Sequence, residues 1–238
     1  MNKTFSIPSG TTLAGRYVVI TELGRGWEGE VYLVREKGTG AERSIKLFYP
    51  RRNKRNETLR RYARKLHKLR NCHILIQYHT QDEYQWNNET VRGLVSEFAS
   101  GDILSEYIKK KPGGRLHYYE ALHFLYALIK GIEEMHKLGE YHGDLHEGNI
   151  IVSKSGLEYS LKLFDLYHWR DHSKPENQLD DVVEAIKITY RLLGGSKTYA
   201  KLPQTMKDIL LAGRKPAIKK TFRSAAKLRE HIEHMSWN

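Results

Sequence analysis

Asp144 and Asn149 stand five residues apart in the stretch HGDLHEGNIIV, and an apolar run follows at once. A carboxylate in such a turn can orient an attacking hydroxyl and accept its proton. An amide oxygen a few positions on suits magnesium, a hard cation that prefers oxygen ligands. Asp165 closes a second apolar run, LKLFD, where a loop carboxylate can bridge magnesium and phosphates. Upstream, Gly24, Gly26, Gly29 and Val31 spell G-x-G-x-x-G-x-V in LGRGWEGEVYLV, with Arg25 inside the loop. Glycine lets backbone N–H groups approach phosphate oxygens with no Cβ in the way. Lys46, in SIKLF, lies just after that hairpin, where a cation could hold α- and β-phosphates. Each feature alone has an ordinary reading: a glycine hairpin, a snorkelling lysine, an aspartate that forms a turn. In this order and spacing they leave little room for chance, and they are the residue types that a site handling magnesium and a phosphoryl group would need.

These residues need elements to position them. RYVVITEL (16–23), EVYLVRE (30–36) and ERSIKLF (42–48) read as three strands of an antiparallel meander, with KGTG (37–40) as a turn. Strand–turn–strand around the glycines excludes a dinucleotide-binding fold, which needs strand–turn–helix. Residues 56–70 carry Leu59, Tyr62, Ala63, Leu66 and Leu69 at helical spacing. ILIQYHT (74–80) and VRGLVSEF (91–98) read as two further strands. The second strand runs into Glu97-Phe98-Ala99 and Ser100-Gly101-Asp102, a natural hinge whose backbone at Glu97 and Ala99 could read an adenine edge. Tyr118, Leu122, Leu125, Ile129, Ile132 and Met135 mark one buried face of a long helix. NIIVS and LKLFD form a short hairpin, and helices with Gly/Pro breaks follow from about Leu179. The expectation is an α+β chain: a β-rich lobe over residues 1–98 and a mostly helical lobe over 99–238.

The chain of 238 residues can bury a real core. The N-terminus has no apolar stretch of signal-peptide type, and ALHFLYALIKGI is too short to span a bilayer and is interrupted by His123 and Lys130. A single cysteine, Cys72, rules out an internal disulfide framework and fits a reducing compartment, so the cytoplasm is expected. The formal charge of +12 favours acidic partners or nucleic acid, though a positive surface is more often a solubility feature, and the charge alone decides nothing.

On these motifs the chain resembles the protein-kinase-like superfamily over roughly residues 16–195, in the form of a compact eukaryotic-like Ser/Thr protein kinase with an HGDLHxxN catalytic loop. The resemblance implies a two-lobed kinase fold using ATP and magnesium. It makes Lys46 and Asp144 catalytic, the former holding phosphates and the latter acting as base. Asn149 and Asp165 become the magnesium ligands. Gly24, Arg25, Gly26, Gly29, Val31, Lys46, Glu97 and Ala99 become the nucleotide contacts, with Ser96 as gatekeeper. Asp181, in DDVVEAIKI, matches the aspartate that braces the catalytic loop from a buried helix, and His142 has a packing role rather than a metal.

Several departures accompany the match. Gly143 stands where the family has arginine, and the family's Asp-Phe-Gly is Asp165-Leu166-Tyr167. Asp165 and Asp181 are 16 positions apart, too close for a full activation segment, with KPE (174–176) as a remnant of the family's Ala-Pro-Glu. Tyr62 falls where the family's helix carries the glutamate that pairs with the lysine. The expectation is a minimal Ser/Thr protein kinase of bacterial or viral origin, constitutively competent, monomeric, with a protein substrate and neither membrane nor nucleic acid as partner. The basic segment 51–70, ten Lys/Arg against one acid, would meet an acidic face of that substrate, or is simply a solvated helix face. Two rivals remain: a small-molecule kinase of the aminoglycoside-phosphotransferase type, where HGDLH with a following Asn also occurs, and a pseudokinase binding module.

Overall fold

The computed structural model describes residues 4–86, 89–156, 158–166, 173–213, 218 and 220–235. The chain divides into two compact units, Met1–Asn71 with Ile76–Ala99, and Cys72–Leu75 with Ser100–Asn238.

The first unit is an antiparallel sheet of six strands in the order β1-β2-β3-β4-β6-β5. Its strands are β1 (Thr12–Leu13), β2 (Tyr17–Arg25), β3 (Gly29–Glu36), β4 (Glu42–Phe48), β5 (Tyr78–Trp86) and β6 (Glu89–Glu97). Alternation by two sends Tyr32, Val34, Ile45 and Leu47 to one face, where they pack with Tyr17, Val19, Tyr84, Val91 and Val95. Phe5, Ile7 and Leu13 cover that same face. On the other face, Phe48 and Leu94 meet Leu59, Tyr62 and Ala63 of helix α1 (Glu57–Lys68). The helix is shorter than its apolar period suggests. Asn56 is left-handed (φ 61°) and Leu69 has left helical geometry, so each end stops one or two residues early.

The run ILIQYHT is not one strand. Only its last three residues enter β5, which continues through the polar QDEYQW. Ile74 and Leu75 instead belong to the second unit, where the Leu163 N–H donates to the Ile74 carbonyl at 2.7 Å. β5 is an edge strand with only Tyr84 fully buried, so hydrophobicity does not mark it.

Glu30 is wholly buried and fastens the N-terminal segment to the sheet. Its carboxylate accepts from the Phe5 and Ser6 N–H groups at 2.9 and 3.1 Å, from the Tyr49 hydroxyl at 2.9 Å, and from the Tyr32 hydroxyl. Tyr32 in turn accepts from the Ile7 N–H at 3.1 Å. Burial works to raise the Glu30 pKa, but these four donors outweigh it and hold it below the usual carboxylate value. A lowered folded pKa adds stability above the unfolded carboxylate value, and that stability is lost as pH falls through the folded one. Glu30→Ala strands two hydroxyls and two backbone donors, so it should cost about 3 kcal/mol in urea unfolding. The deficit should shrink as the pH is lowered below about 4.

The second unit is built on α3 (Tyr118–Lys137), opened by a capping box between His117 and Glu120. Its burial is far wider than one stripe. Ala121, Phe124, Leu128 and Gly131 are buried along with Leu122, Leu125, Ile129, Ile132 and Met135, because β9, α4 and α7 all pack on it. A three-stranded sheet, β7 (Asp102–Ile103), β8 (Ile150–Ser155) and β9 (Glu158–Leu163), includes the expected hairpin. Gly101 (φ +138°) precedes β7, and a Cβ there would lie 2.5 Å from the Val152 carbonyl oxygen. The remaining helices are α2 (Leu104–Lys109), α4 (Lys174–Leu192), α5 (Ser196–Tyr199), α6 (Gln204–Ala212) and α7 (Ala225–His234). KPE is the first turn of α4, fixed by a capping box between Ser173 and Glu176, and is therefore the start of the Asp181 helix rather than a separate remnant. Tyr167 and the shortened activation segment through residue 172 lie outside the described residues. Among the described residues no helix is long and apolar enough to cross a membrane.

Candidate active site

In the second unit the loop that carries His142, Gly143 and Asp144 hangs from one buried carboxylate. Asp181 Oδ2 accepts from the His142 N–H at 2.7 Å and Oδ1 from the Gly143 N–H at 3.0 Å. His136 Nε2 of α3 lies 3.1 Å from Asp181 Oδ2. Gly143 has φ +82°, a region that costs an L residue about 1–2 kcal/mol. Glycine at this position therefore leaves the turn unstrained.

His142 is fully buried and links the loop to the segment that carries Asp165. The Asp144 N–H donates to its Nδ1 at 3.3 Å, so the ring proton is on Nε2, which donates to the Phe164 carbonyl at 3.0 Å. The same carbonyl precedes Asp165, whose φ of +57° places it in the left-handed region. Phe164 N–H closes the arrangement by donating to the Asn149 carbonyl at 3.2 Å. β9 itself ends at Leu163, so Asp165 sits in the turn beyond the strand. His142 is thus a packing and bonding residue, as the resemblance implied.

Asn149 is buried at the end of a short 3-10 turn, immediately before β8. Its Nδ2 donates to the Asp144 carbonyl at 2.9 Å and lies 3.4 Å from Asp144 Oδ2. Both bonds use the amide nitrogen, which turns the oxygen, the atom a hard cation takes, to the opposite side of the amide. His146 Nδ1 accepts from the Gly148 N–H at 3.0 Å, and its Nε2 lies 3.8 Å from Asp144 Oδ2. Glu147 in the same turn pairs with Arg191 of α4 (Glu147 Oε2 to Arg191 Nη2, 3.1 Å). Burial opposes the Glu147 carboxylate, but the guanidinium outweighs it and lowers its pKa.

The first unit gathers the glycine hairpin and Lys46. Gly24 pairs with Val31 across β2 and β3, Val31 opposes Lys46, and Lys46 opposes Leu94, so these side chains share a face. Gly24 and Gly26 have open space where a Cβ would be, whereas a Cβ on Gly29 would lie 1.9 Å from the Leu47 carbonyl oxygen. The third glycine is therefore demanded by strand packing alone. The Arg25 guanidinium is turned to Glu22 (2.9 Å) and Ser6 (3.2 Å), which leaves its backbone as what the loop offers there. Lys46 Nζ pairs with Glu28 Oε2 at 3.0 Å, a partner that sequence reasoning missed although Glu28 is an acid within the glycine motif. Ser96 is buried opposite Ser44, and Glu97 ends β6. The Glu97 carbonyl accepts from Ser44 Oγ at 2.9 Å, and the Glu97 N–H donates to the Gln77 carbonyl at 2.9 Å. These contacts fix the strand end, and Ala99 follows half-buried. Neither Ser44, Gln77 nor His136 carried a signal in the sequence.

The protein kinase domain profile matches residues 17–191. The chain belongs to the protein kinase domain family. It is 32% identical over 155 residues to "Calcium-dependent protein kinase 4" of Plasmodium falciparum, covering 63% of this chain and 28% of that protein. It is 27% identical over 170 residues to "Serine/threonine-protein kinase PrkC" of Bacillus subtilis, covering 67% of this chain and 25% of that protein. The chain thus spans about a quarter of the length of these relatives. The kinase domain structure of Mycobacterium tuberculosis PknI superimposes with a TM-score of 0.65 at 18% identity, covering 97% of this chain and 100% of that one. That likeness shows the α+β kinase fold.

Proposed function

We propose that the chain is an ATP- and magnesium-dependent kinase that phosphorylates serine and threonine hydroxyls of proteins. The observation that carries this reading is the loop in which Asp181 holds the His142 and Gly143 amides while Asn149 holds Asp144. Such a loop presents a carboxylate with its side chain 51% exposed on a backbone that cannot drift. Asp144 orients the acceptor hydroxyl and takes its proton as the bond to phosphorus forms. Asn149 and Asp165 would hold magnesium, and the orientation of the Asn149 amide fits that use; when bound, the ion neutralises charge developing on the transferred group. Lys46 holds the α- and β-phosphates. The hairpin residues Gly24, Arg25 and Gly29 offer backbone N–H groups, while Gly26, whose N–H is held by the Gly29 carbonyl, leaves open space where a Cβ would stand; Val31 packs against the base, and the Glu97 and Ala99 backbone reads its edge. The protein works as a monomer in the cytoplasm, in keeping with a single, buried cysteine that allows no internal disulfide and whose thiol burial pushes up to about 11. Incubation with γ-labelled ATP and both protein and aminoglycoside acceptors tests the acceptor class: label on protein serine or threonine is expected, and label confined to the small molecules would refute it.

The basic face of α1 supplies the substrate contact in this reading. Arg60, Arg61, Arg64 and Lys68 are exposed and lie off the apolar side of the helix. A substrate with an acidic face would be steered there, less effectively once salt shortens the screening length to about 8 Å or below. Reversing these four residues to Glu should raise the apparent KM for the protein substrate about tenfold and leave the KM for ATP unchanged. An unchanged substrate KM would make this helix a solvated face with no partner.

A further inference from the structure

The place at which the family's helix carries a glutamate is filled here by a ring. Lys46 Nζ lies 4.9 Å from the centroid of Tyr62 and 5.5 Å from that of Phe48, while its carboxylate contact, Glu28 Oε2 at 3.0 Å, comes from the glycine hairpin. Helix α1 holds a single acid, Glu57, exposed in its first turn. An aromatic face attracts an ammonium without cancelling its charge, whereas a carboxylate fixes its position by a charge-assisted bond. The two partners therefore divide one task.

The hairpin holds its carboxylate firmly. Tyr49 N–H donates to the Glu28 carbonyl at 2.9 Å, and Gly26 N–H to the Gly29 carbonyl at 2.9 Å. Gly29 lies so close to β4 that no Cβ fits. The Glu28 backbone is thus tied to Tyr49, three residues beyond Lys46, and the hairpin around it is closed on itself. The side chains of Lys46 and Glu28 are only 15% and 21% exposed, so solvent screens their attraction weakly.

We propose that Glu28 is the positioning residue for Lys46, with the Tyr62 ring as its platform, and that the pair replaces the helix glutamate of the family. The proposal rests on the reading of Lys46 as the cation that holds ATP phosphates. It couples the lysine to the loop over the phosphates and leaves α1 an aromatic contact in place of a carboxylate. The alternative, in which Glu28 competes with phosphates for Lys46, has the opposite sign.

The test measures ATP affinity by calorimetry and turnover by steady-state kinetics on the whole chain. Glu28→Gln should weaken ATP binding and lower kcat/KM for ATP about tenfold to a hundredfold, with an unchanged melting temperature. On a Lys46→Met background the same change should add nothing, since the group it positions is gone. Tyr62→Glu should restore a large part of the loss in Glu28→Ala, because it returns a carboxylate to the helix. Unchanged or tighter ATP binding in Glu28→Gln overturns the proposal, as does a loss that persists on the Lys46→Met background. A chain that binds ATP in this Glu28-dependent way without turnover would sink the kinase reading and leave the positioning role standing.

Discussion

Asp144→Ala and Asp165→Ala each reduce phosphoryl transfer about a thousandfold or more while the domain stays folded. In the proposed reading the two carboxylates act at opposite ends of the displacement: Asp144 would align the attacking oxygen and receive its proton, and Asp165 would help hold the magnesium that offsets charge on the transferred group. Neither is a keystone of the fold. The Asp144 side chain is half exposed, and its contact with Asn149 Nδ2 at 3.4 Å is backed by the shorter bond from Nδ2 to its own carbonyl. Asp165 sits in a turn whose backbone is fixed from both sides of Phe164, through His142 and Asn149. Stability should therefore change by no more than about 1 kcal/mol in either variant. Steady-state rates with thermal melts of both proteins check this, and near-native turnover in either folded variant would remove that residue from the chemistry.

Asp181→Ala should fail differently, losing stability and activity together. Its carboxylate is 2% exposed and bonds two backbone N–H groups and a histidine ring from a neighbouring helix. Removing it leaves those buried donors without an acceptor, which costs about 3–5 kcal/mol. It also releases the Gly143 turn, so Asp144 loses its fixed approach even in the molecules that remain folded. Urea unfolding with turnover measured under folding conditions separates this variant from Asp165→Ala, which keeps its unfolding midpoint. Full stability with full activity would show that the loop does not depend on Asp181.

The candidate loop was visible because it rests on residue types at short fixed spacing, Asp144 with Asn149, which the structure joins by a 2.9 Å bond from the Asn149 amide to the Asp144 carbonyl. Lys46 was legible from its strand, and the register that sets it beside Val31 and Leu94 follows from alternation. Glu28 as its partner was not legible, because spacing says nothing of which way a hairpin side chain turns. Nothing in the sequence marked Phe5 and Ile7 as core, since the groups that seat them, Glu30 for the Phe5 N–H and the Tyr32 hydroxyl for the Ile7 N–H, each lie 25 residues away. Ile74 and Leu75 read as strand because apolar runs look alike whether they pair in a sheet or pack against a helix glycine such as Gly131. The α3 stripe was seen too narrowly because a one-face period leaves out Phe124 and Leu128, and because Ala121 and Gly131 are small residues that mark close packing without raising hydrophobicity.

The most direct measurement incubates the purified chain with γ-labelled ATP and magnesium, alongside its Asp165→Ala variant, and follows acid-stable label in protein with phosphoamino acid analysis. The account predicts that label accumulates on serine and threonine in the wild type, requires magnesium and is absent from the variant. Saturable ATP binding with no transfer, or equal labelling of the wild type and the variant, would contradict it.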